Sequence, residues 1–170
     1  MTVQALRPSR GWGCRRGSDL IAATSALAER EEILLLGRVT FEAFRGYWPD
    51  HADDGTGISA ELDQVRKVVV SSTMTDPQWQ NSEVLGPDWL DQVRALKAED
   101  GDGQVVVTGS ISICHALFEA GLVDEINLFV FPVVQGRGRG LVPEGMVLDL
   151  DLIRSRTFDS GVVLLGYRTR

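Results

Sequence analysis

A chain of 170 residues, 44% hydrophobic and 24% charged, fits one soluble domain with a real hydrophobic core, residues 1–170. Its net charge of −7 argues against a general nucleic-acid binder, which needs a basic face, and no apolar run is long enough to cross a bilayer. The opening MTVQALRPSRGWGCRRGSD carries arginines without an apolar stretch, so it does not read as a secretory signal and the expected compartment is the cytoplasm.

In chain order, residues 1–10 show only the weak strand pattern TVQAL. Arg7, Arg10, Arg15, Arg16, Arg30 and Arg38 make the N-terminal part locally basic. Cys14 and Cys114 are far apart with no second pair to build a metal site, and both are expected to be free thiols. Leu20, Ala23 and Leu27 repeat at helical spacing between Asp19 and Arg30. A short buried strand follows at Ile33–Leu36, stops at Gly37-Arg38, and a helical pattern begins behind Thr40. Pro49 to Ser59 is polar and reads as a surface loop. Further strands are expected at Lys67–Ser71, Gln104–Thr108 and Ile126–Val134, with helices around 89–96 and 113–120, the second closed by Gly121. LIRSRTF and GVVLLGYR, joined by DSG, read as a hairpin. Alternation of this kind predicts an α/β fold: a mostly parallel central sheet, helices on both faces, and an antiparallel C-terminal hairpin.

Three strand ends, LLLGRVT, VVVSSTMTD and VVVTGSIS, are each followed by small or hydroxylated residues. In a parallel sheet these ends share one rim, where open α/β folds bind ligands. Gly37 and Gly109 allow close backbone approach, Arg38 can grip a phosphate bidentately, and the hydroxyls of Thr40, Ser71, Ser72, Ser110 and Ser112 can donate to one. Taken singly, each has a plainer role as turn glycine, cap hydroxyl or solvated charge. No complete dinucleotide or P-loop fingerprint is present.

Together LLLGRVTFEAFRGYWP, VVVSSTMTDPQWQNS, VVVTGSISICHALFEAGLVDEINLFVFPVVQGRGRGL and SRTFDSGVVLLGYR resemble the RibD C-terminal-domain family of the dihydrofolate reductase superfamily, which includes a riboflavin-biosynthesis reductase. The resemblance implies a three-layer dihydrofolate reductase-like fold, NADPH as cofactor and a homodimer. It places Gly37, Arg38 and Thr40 beside the cofactor's phosphates and Ser71 and Ser72 near its 2′-phosphate. Thr108, Gly109, Ser110, Ile111 and Ser112 fall beneath the pyrophosphate. It also puts Asp19 where the superfamily has a substrate-holding carboxylate. The family's opening strand and the S-L-D-G-like loop behind it have no clear counterpart, so residues 1–10 are expected to lack a central strand and the chain to be marginally stable. The expected function is NADPH-dependent hydride transfer to a small heterocyclic or carbonyl substrate. The alternative is a non-catalytic NADPH- or nucleotide-binding protein with a degenerate substrate pocket.

Overall fold

The structure, a computed structural model, describes residues 1–5, 18–28, 31–51, 55–98 and 104–170. The expected strand Ile33–Leu36 is β2, Glu31–Gly37, and the other parallel strands are β1 (Thr2–Ala5), β3 (Arg66–Val70), β4 (Ser82–Leu85), β5 (Gln104–Thr108) and β6 (Glu125–Val130). The hairpin strands are β7 (Leu150–Thr157) and β8 (Val163–Thr169). All eight join one sheet in the order β4-β3-β2-β5-β1-β6-β8-β7, parallel from β4 to β6 and antiparallel thereafter. The helices are α1 (Ser18–Ala28), α2 (Arg38–Arg45), α3 (Ile58–Gln64), α4 (Trp89–Ala98) and α5 (Ile111–Glu119).

The alternation within β2 shows how three layers form. Ile33 and Leu35 point to one face, where they pack with Val93 of α4 and Ile113 and Leu117 of α5. Leu34 and Leu36 point to the other, against Phe41 of α2 and Leu62 of α3. On that second face, Leu20 and Ala23 of α1 pack on Phe129 of β6 and Leu164 of β8. Both faces are covered, so β2 reads as a continuous apolar run. Gly121 closes α5 with φ +64, and Leu122 N donates to Leu117 O at 3.0 Å.

Four expectations change. The central strand is present: Thr2–Ala5 lies between β5 and β6, with Val3 beside Val107 and Ile126. Its ladder groups therefore have partners, which removes the reason for expecting marginal stability. The S-L-D-G-like loop position, with Cys14, lies outside the described residues. The strand expected over Ile126–Val134 ends at Val130, because Pro132 cannot donate to a ladder. The expected loop from Pro49 to Ser59 holds most of a 3₁₀ turn, Trp48–His51, and the start of α3. β4, only four residues long and half polar, was not legible beforehand and pairs with β3 at the sheet edge.

Lys67 shows how this frame treats a charge. It is fully buried on the α3 face, and its Nζ donates to the carbonyls of Leu62, at 2.5 Å, and Val65, at 2.9 Å. The ammonium also lies 4.7 Å from the Trp79 ring centroid. It thus satisfies carbonyls at the end of α3 that would otherwise be orphaned. Lys67→Met should leave them unpaired at a cost of about 1–3 kcal/mol, read as a lower urea midpoint at unchanged slope.

Candidate active site

Because β3, β2 and β5 are neighbours, the three small-residue strand ends lie side by side on one rim. α2 begins directly at Arg38 with Gly37 as its N-cap, and α5 begins at Ile111 with Ser110 as its N-cap. Neither cap residue makes a side-chain capping bond, so the first N–H groups of both helices lack that partner. The two turns are clamped together. Gly37 N donates to Ser110 Oγ at 2.8 Å, and that hydroxyl donates to Thr40 Oγ1 at 3.1 Å. Gly109 takes φ +70, and a Cβ there would meet Thr40 Cγ2 at 3.2 Å. Glycine is needed at 109 both for the left-handed backbone and for the close approach.

This geometry sorts the expected phosphate-facing residues. Ser110 is buried, and its hydroxyl bridges the two turns. Ser112 is exposed on the first turn of α5, beside the half-buried Ile111. Thr108 and Gly109 border a neighbouring cavity. Ser71 Oγ accepts from the backbone N–H groups of Thr73, at 3.2 Å, and Met74, at 2.9 Å, and so builds the turn after β3. Ser72 is exposed in that turn.

Beside that turn lies a recess of about 350 Å³ bordered by Arg38, Arg45, Thr73, Thr75 and Gln78, with Glu42 and Asp76 also on its walls. Arg38 Nη1 is paired with Glu42, 2.9 Å from Oε2, and both side chains are partly exposed. Arg45 Nη1 donates to Pro77 O at 2.8 Å. Arg45 was missed from sequence, although its spacing of seven residues from Arg38 puts both on one face of α2.

On the α1 face a second cavity, of about 340 Å³, runs between α1, the end of α2 and α3. Its walls are mainly apolar, including Leu20, Ile21, Phe44, Trp48 and Leu62. Gln4, Thr24, Thr108 and Gly109 add polar groups, and Glu31 and Glu61 add carboxylates. Burial pushes the Glu31 carboxyl up to about 7, with the charge of Glu61 adding to the effect. Asp19 does not border this cavity. Its Oδ1 accepts from Leu20 N at 2.8 Å and its Oδ2 from Asp159 N at 2.9 Å, so it ties α1 to the β7–β8 turn. Asp19, expected at a substrate-holding position, makes these two backbone contacts, and the carboxylates that line the cavity are Glu31 and Glu61. His115 Nε2 lies 2.9 Å from Gly140 O, Trp79 is buried in the core, and among the described cysteines Cys114 is a free buried thiol.

The residues present suit a phosphorylated dinucleotide. Two helix N-termini without side-chain caps, a glycine turn that excludes a Cβ, and two guanidinium groups with threonine hydroxyls supply donors along one rim. The same glycine turn lines the apolar cavity. A mostly parallel sheet with antiparallel final strands and helices on both faces is a dihydrofolate reductase-like α/β fold.

The chain belongs to the RibD C-terminal domain family, whose model matches residues 9–164. The matched stretch starts after β1, in keeping with the divergent opening. The uncharacterized protein YyaP of Bacillus subtilis (strain 168) is 30% identical over 141 residues, covering 80% of this chain and 73% of YyaP. A candidate riboflavin biosynthesis protein from Shewanella sp. PV-4 superposes with TM-score 0.70 at 18% identity, over 99% of this chain and 98% of that one. A pyrimidine reductase-like protein from Corynebacterium diphtheriae gives 0.64 at 12% identity, over 99% and 91%. Acinetobacter baumannii RibD gives 0.60 at 13% identity, and there the match spans 99% of this chain but 57% of RibD. At these identities the superpositions speak to fold. None of the described helices is long and apolar enough to cross a membrane.

Proposed function

We propose that this protein is an NADPH-dependent reductase that transfers hydride to a small heterocyclic or carbonyl substrate. The observation that carries the reading is the junction at Gly109, where the anion-facing rim and the apolar cavity meet. NADPH, when bound, supplies the hydride and leaves as NADP⁺, while a proton completes reduction of the substrate double bond. Arg38, Arg45, Thr73 and Thr75 hold the 2′-phosphate end. The free N–H groups opening α2 and α5 hold the pyrophosphate, positioned by the Ser110 bridge. Leu20, Phe44 and Trp48 exclude water from the substrate.

Fluorescence titration with NADPH, followed by its absorbance loss across a panel of pterins, pyrimidines and carbonyl compounds, tests this. Binding and turnover are expected. Binding without turnover on any acceptor would favour the nucleotide-binding alternative, and no binding would overturn both.

A homodimer belongs to the same proposal. The apolar run INLFVFPVV is no argument for it, since β6 is an interior strand paired with β1 and β8. Support comes instead from β7, an edge strand with Leu152 57% and Ile153 39% exposed. Light scattering should give twice the chain mass, and Leu152→Lys should return it to one.

A further inference from the structure

We infer that Lys67 and Asn81 are positioning residues for the substrate: together they clamp the last turn of α3, and that turn is a wall of the α1-face cavity. The inference rests on reading this cavity as the reductase's substrate site. α3 and its C-cap give the cavity Ile58, Glu61, Leu62 and Val65. Seven residues are too few for a helix to hold its own shape in water, so the wall is only as firm as the contacts that fix it.

Val65, the C-cap, takes φ −62 and ψ 142, and the chain runs straight on into β3 at Arg66. An extended residue there does not fold the chain back over the helix end as a left-handed glycine would. The carbonyls of Leu62, Asp63, Gln64 and Val65 therefore need donors from elsewhere. Two side chains supply all four: Lys67 Nζ donates to Leu62 O at 2.5 Å and Val65 O at 2.9 Å, and Asn81 Nδ2 to Asp63 O at 2.9 Å and Gln64 O at 3.3 Å. The clamp is itself braced. Lys67 N donates to Asn81 O at 2.7 Å, and Trp79, whose ring faces the ammonium, donates from Nε1 to Asp63 Oδ1 at 2.7 Å. Asn81 holds its amide in place from a left-handed backbone, φ 54, which asparagine tolerates. A valine at 67 would extend the apolar run of β3 without burying a charge, which is costly. What the ammonium does in that place is hold two carbonyls, and both belong to residues that line the cavity.

Hydrogen exchange and ligand binding test the clamp, with Lys67→Met and Asn81→Gly each removing one half. Glycine keeps the left-handed backbone while deleting the amide. Within about ten seconds of exchange, before global unfolding contributes, amides of residues 58–65 should exchange about tenfold faster in both variants, and those of α4 as in the wild type. The affinity of quinazolin-4-one, an uncharged bicyclic probe, should fall about fivefold or more by calorimetry. Lys67→Arg, which keeps the charge and the donors, should bring both readings back toward the wild type. Exchange over 58–65 that is unchanged, or that rises by the same factor in α4, would overturn the inference. So would quinazolin-4-one binding that is absent from the wild type or equal in all the variants. If the wild type does not bind NADPH while both losses appear, the reductase reading fails and the clamped cavity wall stands.

Discussion

Replacing Arg38 with alanine is expected to weaken NADPH binding about 10- to 150-fold while changing NADH binding much less. A hydrogen bond to a charged group contributes roughly 1.5–3 kcal/mol, and the 2′-phosphate is the group that the two cofactors do not share. In the free protein the guanidinium is not idle: Glu42, one turn along α2, holds it at 2.9 Å. Exposed pairs of this spacing are worth only about 0.3–0.5 kcal/mol, so a phosphate competes for Arg38 at small cost. Glu42→Gln should therefore tighten NADPH about twofold at low salt, by removing both the competitor and a nearby negative charge. Titration of both cofactors into wild type and the two variants decides the matter. Equal losses of NADPH and NADH in Arg38→Ala would take Arg38 away from the 2′-phosphate. Arg45, on the same helix face, would then be the next guanidinium to replace.

Glu31→Gln is expected to stabilise the protein by about 3 kcal/mol at pH 8, and to leave stability at pH 4 nearly unchanged. The Glu31 carboxyl lies at about 7 in the folded chain against an ordinary 4.5. Between those values the folded chain keeps a proton that the unfolded chain releases, so stability falls as pH rises through the window and levels off above it. Each pKa unit corresponds to about 1.4 kcal/mol, which sets the size of the effect. Glutamine keeps the shape and removes the titration, so the slope between about pH 4.5 and 7 should flatten. Glu61→Gln should flatten it partly, because the Glu61 charge is the second cause of the shift. Burial also brings the Lys67 ammonium down to about 8, against an ordinary 10.5. There the unfolded chain binds the extra proton, so stability rises with pH from about 8 to 10.5, in a separate window. Urea denaturation of wild type and Glu31→Gln at pH 4, 6 and 8 measures the effect, and parallel pH profiles would sink it.

Much of the fold was legible because its strongest signals are local. ILLL and the two VVV runs are apolar at every position, which a strand covered on both faces requires, and Gly121 marks a helix end that only positive φ can close. The three small-residue strand ends were readable for the same reason, as abrupt stops in apolar runs. Their meeting on one rim follows from the neighbouring order β3-β2-β5, which is a property of the sheet. β1 was misread as absent since only four residues form it, and Gln4 borders the cavity where an apolar residue would have signalled a strand. The carboxylates divide in the same way. Periodicity placed Asp19 at the head of α1 but could not show its two oxygens taken by backbone N–H groups, one of them 140 residues away at Asp159. Nor could it bring Glu31 and Glu61 to one cavity, since they sit on separate elements. Local sequence dictates which residues are buried and where an element stops, because burial periodicity and backbone sterics act over a few residues. Which charges share a cavity depends on chain crossings between distant segments, and those the tertiary structure alone decides.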